Sequence, residues 1–497
     1  MHTLKGLLMP MSSFYRKAWV LFIFIFSLSV GCRKGDFNSG PLPETTIFLD
    51  QIQLPDSLRL STVVKMHWNG FVQNAYITGY EISTNSGTTW GSTHRTDSTF
   101  VFMVPPGNQV ADIVFMVRAM DNYGRKDPSP AQLRIPVKNT PPVIVFTDSL
   151  PDTVFTVFSM SWNLTDVDGD ETLDSIQVRM NGGDWINLPA QTQLLTFVPE
   201  APSFAGISRL KLLSGTSAQP QSQTLPGAIL NGMNQLIVRG KDKSGAYSNE
   251  VQSTAFYLKK VNSDLLVIDA YPADPSARSL YTLTLDATYP NYDFISFYDN
   301  NRKYQPRYWN IAFREWIGLY DKVFWYSSRS AYNGAAPESG LLLETASQAF
   351  QSYLNTGGKL LVISSLPSID TNYNFVTTSP VFTLLPIDTI STSIGQARLQ
   401  TDSLVLPLGF TEYPELRPSQ FLTGLSPFHP IPGAEVLYRA QITSSQGWQG
   451  PRVVCARQRG ANGRVHLVYF SLDMQYLNAN NSVSLFFSKV LTEDFNW

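Results

Sequence analysis

The chain has 497 residues, of which 43% are hydrophobic, 12% aromatic and only 15% charged, with a formal net charge of -2. That composition excludes a disordered or low-complexity protein and leaves length for about three domains, and its mildly acidic balance excludes an electrostatic partnership with nucleic acid. Only two cysteines occur, Cys32 and Cys455, so the chain has no disulfide framework to fold around.

In chain order, Arg16 and Lys17 precede the apolar run from Ala18 to Phe26, which leads through Ser27, Leu28, Ser29, Val30 and Gly31 to Cys32. A basic start, an apolar stretch short of the roughly 18 residues of a membrane span, and small residues before a cysteine read as a secretory signal. Val30-Gly31-Cys32 resembles the bacterial lipobox, although Ser29 stands where Leu is usual. The resemblance implies a signal peptide over 1–31, acylation of Cys32 and a lipid anchor in the cell envelope, several acyl chains holding where one alone is marginal. Arg33 stands where an inner-membrane lipoprotein carries Asp, which favours the outer membrane. Residues 32–44 are polar and rich in Gly and Pro, as a flexible tether is.

Residues 45–138 hold short alternating runs such as Val63–Trp68, Ile77–Ser83 and Ile113–Arg118, separated by turn residues. The spacing predicts an antiparallel β-sandwich. Residues 139–260 repeat it: Trp68, Trp90 and Asp121-Asn-Tyr-Gly124 align with Trp162, Trp185 and Asp242-Lys-Ser-Gly245. The second copy is longer by about 26 residues, expected as a surface loop over 199–227, rich in Ser, Gln, Pro and Gly. Both copies resemble the fibronectin type III or immunoglobulin-like modules of bacterial surface proteins. The resemblance implies a buried Trp68 and Trp162 between sheets and Asp121 and Asp242 in turns. Trp90 and Trp185 are the better candidates for an exposed, sugar-stacking role. In the second copy, Asp166, Asp168 and Asp170 around Gly169 offer oxygen donors of the kind calcium takes, in competition with a plain solvated turn. No other cofactor is expected.

From residue 263 to 497 the pattern changes. Leu265–Tyr271, Asp293–Tyr298, Lys322–Ser327 and Lys359–Ser364 are apolar runs of the buried parallel kind, and Leu341 to Asn355 has one apolar helical face stopped by Gly357-Gly358. The expected fold is an open, mostly parallel, flavodoxin-like α/β sheet with helices on both faces, following the two sandwiches. Tyr353-Leu-Asn-Thr-Gly-Gly-Lys-Leu-Leu-Val-Ile-Ser-Ser365 and Gly463-Arg-Val-His-Leu-Val-Tyr-Phe-Ser471 resemble the class I glutamine-amidotransferase-like superfamily, including its trehalose-utilisation-protein-like members. Active members carry a nucleophilic Cys at the first strand end and His-Pro-Glu at the second. Here Ser364 and Ser365 stand at the elbow and Ser471-Leu-Asp473 at the other strand, so the resemblance implies a domain without its family triad, a pseudoenzyme.

A serine-based alternative needs a histidine, and the domain has only His429, in a Pro-rich segment, and His466, five residues before the family base position. Cys455 sits in an apolar strand pattern and reads as a buried core thiol. Strand ends should still bring Asp269, Tyr271, Asp299, Ser327, Ser328, Ser364, Ser365 and Asp473 to one edge, where such sheets bind ligands, unless residues 384 to 450 plug it. The expected role is a non-catalytic binding or assembly function at the membrane surface, toward a glycan or other envelope proteins. A glycan- or ester-acting hydrolase using Ser365, or Asp269 with Asp299, is the alternative.

Overall fold

The computed structural model of the chain describes residues 40–49, 59–272, 275–305, 309–329, 341–367, 378–390 and 396–496; the signal segment and Cys32 lie outside these. The chain divides into two compact units, Met1–Thr140 and Pro141–Trp497.

In the first unit a three-stranded sheet (Glu44–Leu49, Val63–Phe71, Asp97–Val101) faces a four-stranded one (Gly91–Thr93, Ile77–Ser83, Val110–Asp121, Ala131–Lys138). Period-two alternation sends Val64, Met66 and Trp68 inward, and Trp68 is 1% exposed. Its indole N–H donates to the Arg95 carbonyl at 2.8 Å, so the ring is buried without an orphaned donor. The second sandwich repeats the device, with Trp162 buried and its N–H donating to the Thr192 carbonyl at 2.7 Å. The turn glycines Gly124 and Gly245 both have positive φ, at 75° and 90°.

The segment expected as a surface loop over 199–227 is instead mostly a β-hairpin. Strands Gly206–Ser214 and Gln219–Leu230 pair antiparallel and extend one sheet of the second sandwich to five strands. Leu210, Leu212, Leu225, Ala228 and Leu230 are buried, while the Ser, Gln and Arg residues between them face out. The ladder has two register shifts, one of which holds Pro226, while Pro220 pairs with Leu213 at the border of the other, which is why polar composition and Pro content disguised strands as loop.

This second sandwich is not a separate spacer. Val157, Val198 and Val261 belong to one hydrophobic cluster with Trp316, Tyr320 and Leu342 of the α/β domain, and Leu194 and Ala218 pack with Ile311. Phe155 meets the rings of Tyr304 and Trp316 at 5.4 and 6.0 Å, and Lys303 pairs with Asp152 at 2.7 Å. Shared apolar burial is the term that holds domains rigidly together.

The α/β domain is built on a ten-stranded mixed sheet. Its parallel part runs in the spatial order Asp293–Ser296, Leu265–Ala270, Lys322–Ser327, Lys359–Ser364, Val465–Phe470. Alternate residues face opposite sides: Leu266, Ile268, Trp325 and Val362 pack with the helix Leu342–Asn355, whereas Leu265, Val267, Phe324 and Ile363 pack with Pro275–Thr288 and Val483–Ser488. Both faces are covered, as continuous apolar strands require. The expectation of a mostly parallel sheet needs correction. Val453–Arg459, Phe428–Pro430, Ile387–Ile390, Glu435–Ala440 and Val405–Pro407 add an antiparallel half, drawn from short runs broken by Pro and Ser that show no sustained period.

Candidate functional site

The carboxyl ends of the parallel strands open onto a cleft of about 470 Å³ lined by Tyr271, Ser328, Arg329, Ser365, Ser471 and Asp473, with residues 420–425 forming another wall. Its size lies within the range of small-molecule sites, ~300–1,000 Å³. The stretch 384–450 therefore supplies a side of the cleft through residues 420–425.

The serines expected at this edge are engaged. Ser327 and Ser364 share a hydrogen bond of 2.8 Å, Ser327 Oγ also accepts from the Trp325 indole at 3.0 Å, and the Tyr469 hydroxyl donates to the Ser364 carbonyl at 3.0 Å. Both hydroxyls lie below the surface and neither lines the cleft. Ser365 does line it, and its Oγ accepts the Arg329 backbone N–H at 3.2 Å. An activated serine needs a base within hydrogen-bond reach, and the partners here are donors and other hydroxyls.

Opposite them, the Tyr271 hydroxyl donates to Asp473 Oδ2 at 3.1 Å. Burial first, and the Asp473 charge second, push the phenol far above its ordinary range, so it stays a donor. Ser471 Oγ is fully buried and has no hydrogen-bond partner among the described residues. Phe421, 48% exposed, stands on the wall.

Asp269 and Asp299 are not a free carboxylate pair. Arg278 lies between them, donating to Asp269 Oδ2 at 2.6 Å, to Asp299 Oδ1 at 2.9 Å and to Ser296 Oγ at 2.7 Å. Burial is the largest influence on Asp269 and raises its carboxyl, with the Arg278 hydrogen bond opposing. Neither acid lines the cleft. Sequence reasoning missed Arg278, which sits on the first helix of the domain, nine residues after Asp269; an arginine following a buried strand aspartate onto the next helix was the available signal.

The histidines stand apart. His466 opens the strand whose carboxyl end is Phe470, so it lies roughly 16 Å along the strand from Ser471, and burial lowers its pKa. His429 is in a strand, Phe428–Pro430, rather than a loop; its side chain is exposed and is not among those lining the cleft. Cys455 is fully buried on Val453–Arg459, and burial pushes its thiol well up.

Two candidates in the sandwiches are corrected by geometry. Asp166 and Asp168 turn inward, Asp166 Oδ1 accepting the Asp168 N–H at 2.9 Å, while Gly169 at φ 107° swings Asp170 out to solvent. Among the described residues no three acidic, histidine or cysteine side chains gather closely enough to hold a metal ion, so the expected calcium trio does not converge. Trp90 and Trp185 both have ring surface taken up by arginine. Arg118 lies over Trp90 at 4.1 Å, and Arg179 and Arg239 lie over Trp185 at 4.4 and 4.3 Å.

No protein-family model and no curated protein matches the chain. Fibronectin type III modules are among the solved structures it is similar to. The fibronectin(III)-like modules of CbhA from Clostridium thermocellum share 11% identity over 43% of this chain and 94% of theirs, with a TM-score of 0.18. The two-domain fibronectin type III segment of chicken tenascin shares 12% over 44% of this chain and 99% of its own, with a TM-score of 0.19. At these scores neither a family nor an activity follows. No helix among the described residues is long and apolar enough to cross a membrane.

Proposed function

We propose that this chain is a cell-envelope lipoprotein, anchored through Cys32, whose C-terminal domain captures a polyhydroxylated ligand in the strand-end cleft and does not turn it over. The sandwiches are read as fibronectin type III-like modules and the last domain as an amidotransferase-like, flavodoxin-like domain without its triad. The strand order of the parallel part, 2-1-3-4-5 counted along the domain, supports the flavodoxin-like reading. The single observation that carries the non-catalytic reading is the commitment of the candidate nucleophiles and acids at this sheet edge, in the cleft and beneath it. Ser365 accepts from a backbone N–H, Ser364 is tied to Ser327, and Asp269 and Asp299 are held by Arg278. A Tyr-Asp pair, a serine floor and an aromatic wall are groups that hydrogen-bond and stack on sugars.

The test is a glycan array probed with the purified chain lacking residues 1–32, followed by an assay of every bound glycan and of simple esters for turnover. Binding without turnover is the expected result. Turnover lost in Ser365→Ala or Asp269→Asn establishes the hydrolase alternative instead. Acylation is tested separately, by incorporation of labelled palmitate that disappears in Cys32→Ala.

A further inference from the structure

Among the described residues Arg329 is the one cationic side chain lining the cleft, and its placement is built rather than incidental. Its Nη1 donates to the Gly424 carbonyl at 2.6 Å, and its backbone N–H is fixed on Ser365 Oγ. Gly424 has φ +65°, and a Cβ there would collide with the guanidinium, so only glycine leaves room for the arginine to lie against this wall. Among the described residues Arg329 has no ion-pair partner and its guanidinium makes one hydrogen bond, which uses only part of a fork that has five N–H donors. Asp473, already accepting from Tyr271, also lines the cleft. Below is Ser471 Oγ, fully buried and unpartnered among the described residues.

We propose that the ligand is a saccharide bearing a carboxylate, its acid group held by Arg329 and its hydroxyls by Ser471 and the Tyr271–Asp473 pair. This rests on the reading of the cleft as a glycan-binding site. A planar guanidinium pairs with a carboxylate through two parallel hydrogen bonds. A singly charged carboxylate suits the cleft better than a phosphate or a sulfate-rich chain, because Asp473, which also lines the cleft, repels added negative charge. The exposed Phe421 ring then meets the apolar face of a sugar ring, and Ser471 gains the partner that its burial otherwise denies it.

The experiment compares uronate-containing oligosaccharides with their carboxyl-reduced and their sulfated counterparts, by array and by calorimetry, on the chain lacking residues 1–32. The expected result is binding of the uronates at least tenfold tighter than of either counterpart. Arg329→Gln and Arg329→Lys should weaken it roughly 10- to 100-fold, the lysine keeping the charge but losing the fork. Gly424→Ala should weaken it without altering any charge. Arg329 is an exposed side chain, so an unchanged thermal melt shows that its variants fold. Equal binding of reduced or sulfated glycans, or indifference to Arg329→Gln, overturns the inference and leaves the glycan-binding reading standing. Binding of no glycan overturns both.

Discussion

Arg278 Nη2 lies 2.6 Å from Asp269 Oδ2 and 2.9 Å from Asp299 Oδ1, so one guanidinium pairs with both carboxylates that could otherwise have served as an acid and base pair. Asp269 is almost fully buried while Arg278 is about two-fifths exposed, and removing the arginine leaves an acid inside the fold with no counterion. Arg278→Ala should therefore lower stability by about 1–3 kcal/mol, a figure kept small by the exposure of the arginine. It should create no hydrolytic activity. Denaturant unfolding monitored by tryptophan fluorescence, with an ester and polysaccharide assay alongside, reads both.

The two sandwiches both set arginine on tryptophan, but the arginines have different partners. Arg118 bonds Glu81 at 2.7 Å in the first, and Arg239 bonds Gln177 at 2.7 Å in the second. Glu81 also accepts from Lys126, and that hydrogen bond leads in holding its carboxyl below the ordinary range, with Arg118 adding to it and burial opposing. A depressed carboxylate stabilises the fold above its unfolded pKa, about 4.3, and that stability fades as pH falls through the lower folded value. Glu81→Gln should be less stable than the parent by up to ~1 kcal/mol at pH 7, and the gap should close near pH 3. Thermal melts at the two pH values measure the gap.

Arg179 and Arg239 both lie over the Trp185 ring, and Arg239 also lies 4.2 Å from the Tyr247 ring. This stack ties neighbouring strands together on the sheet's outer face. Trp185→Ala should lower the melting temperature and leave glycan binding unchanged; weaker binding with an intact melt would instead make the ring a ligand contact.

The turn of the hairpin that distinguishes the second sandwich also joins it to the α/β domain, since Ala218, with Leu194 of the neighbouring strand, packs on Ile311. Ile311→Ala removes a side chain that is 2% exposed and should cost about 2–5 kcal/mol. Limited proteolysis should then cut the Pro141–Trp497 unit sooner while the Met1–Thr140 unit resists as before.

Cys455 is fully buried with a raised thiol pKa. Iodoacetamide at pH 8 should leave the Cys455 peptide unmodified in the native chain and label it on unfolding, as mass spectrometry will show. Rapid native labelling would mark an accessible thiolate and contradict a core role.

Local patterning by itself determined the sandwich strands around Trp68 and Trp162, the duplication, the parallel strands from Leu265 to Ser364 and the helix ended by Gly357, because period and turn chemistry act over a few residues. The signal and Cys32 likewise rest on sequence alone. Only tertiary structure decided that residues 206–230 are a hairpin, since Pro226 sits in a register shift that pairing alone creates. Only tertiary structure fused the second sandwich to the α/β domain, through valines that look like any other core residue. It also assembled the cleft, where Arg329 and Gly424 meet across 95 positions. Arg278 paired Asp269 with Asp299, and arginines covered Trp90 and Trp185, for the same reason: which charge or ring lies opposite a side chain depends on chain crossings that no local period records.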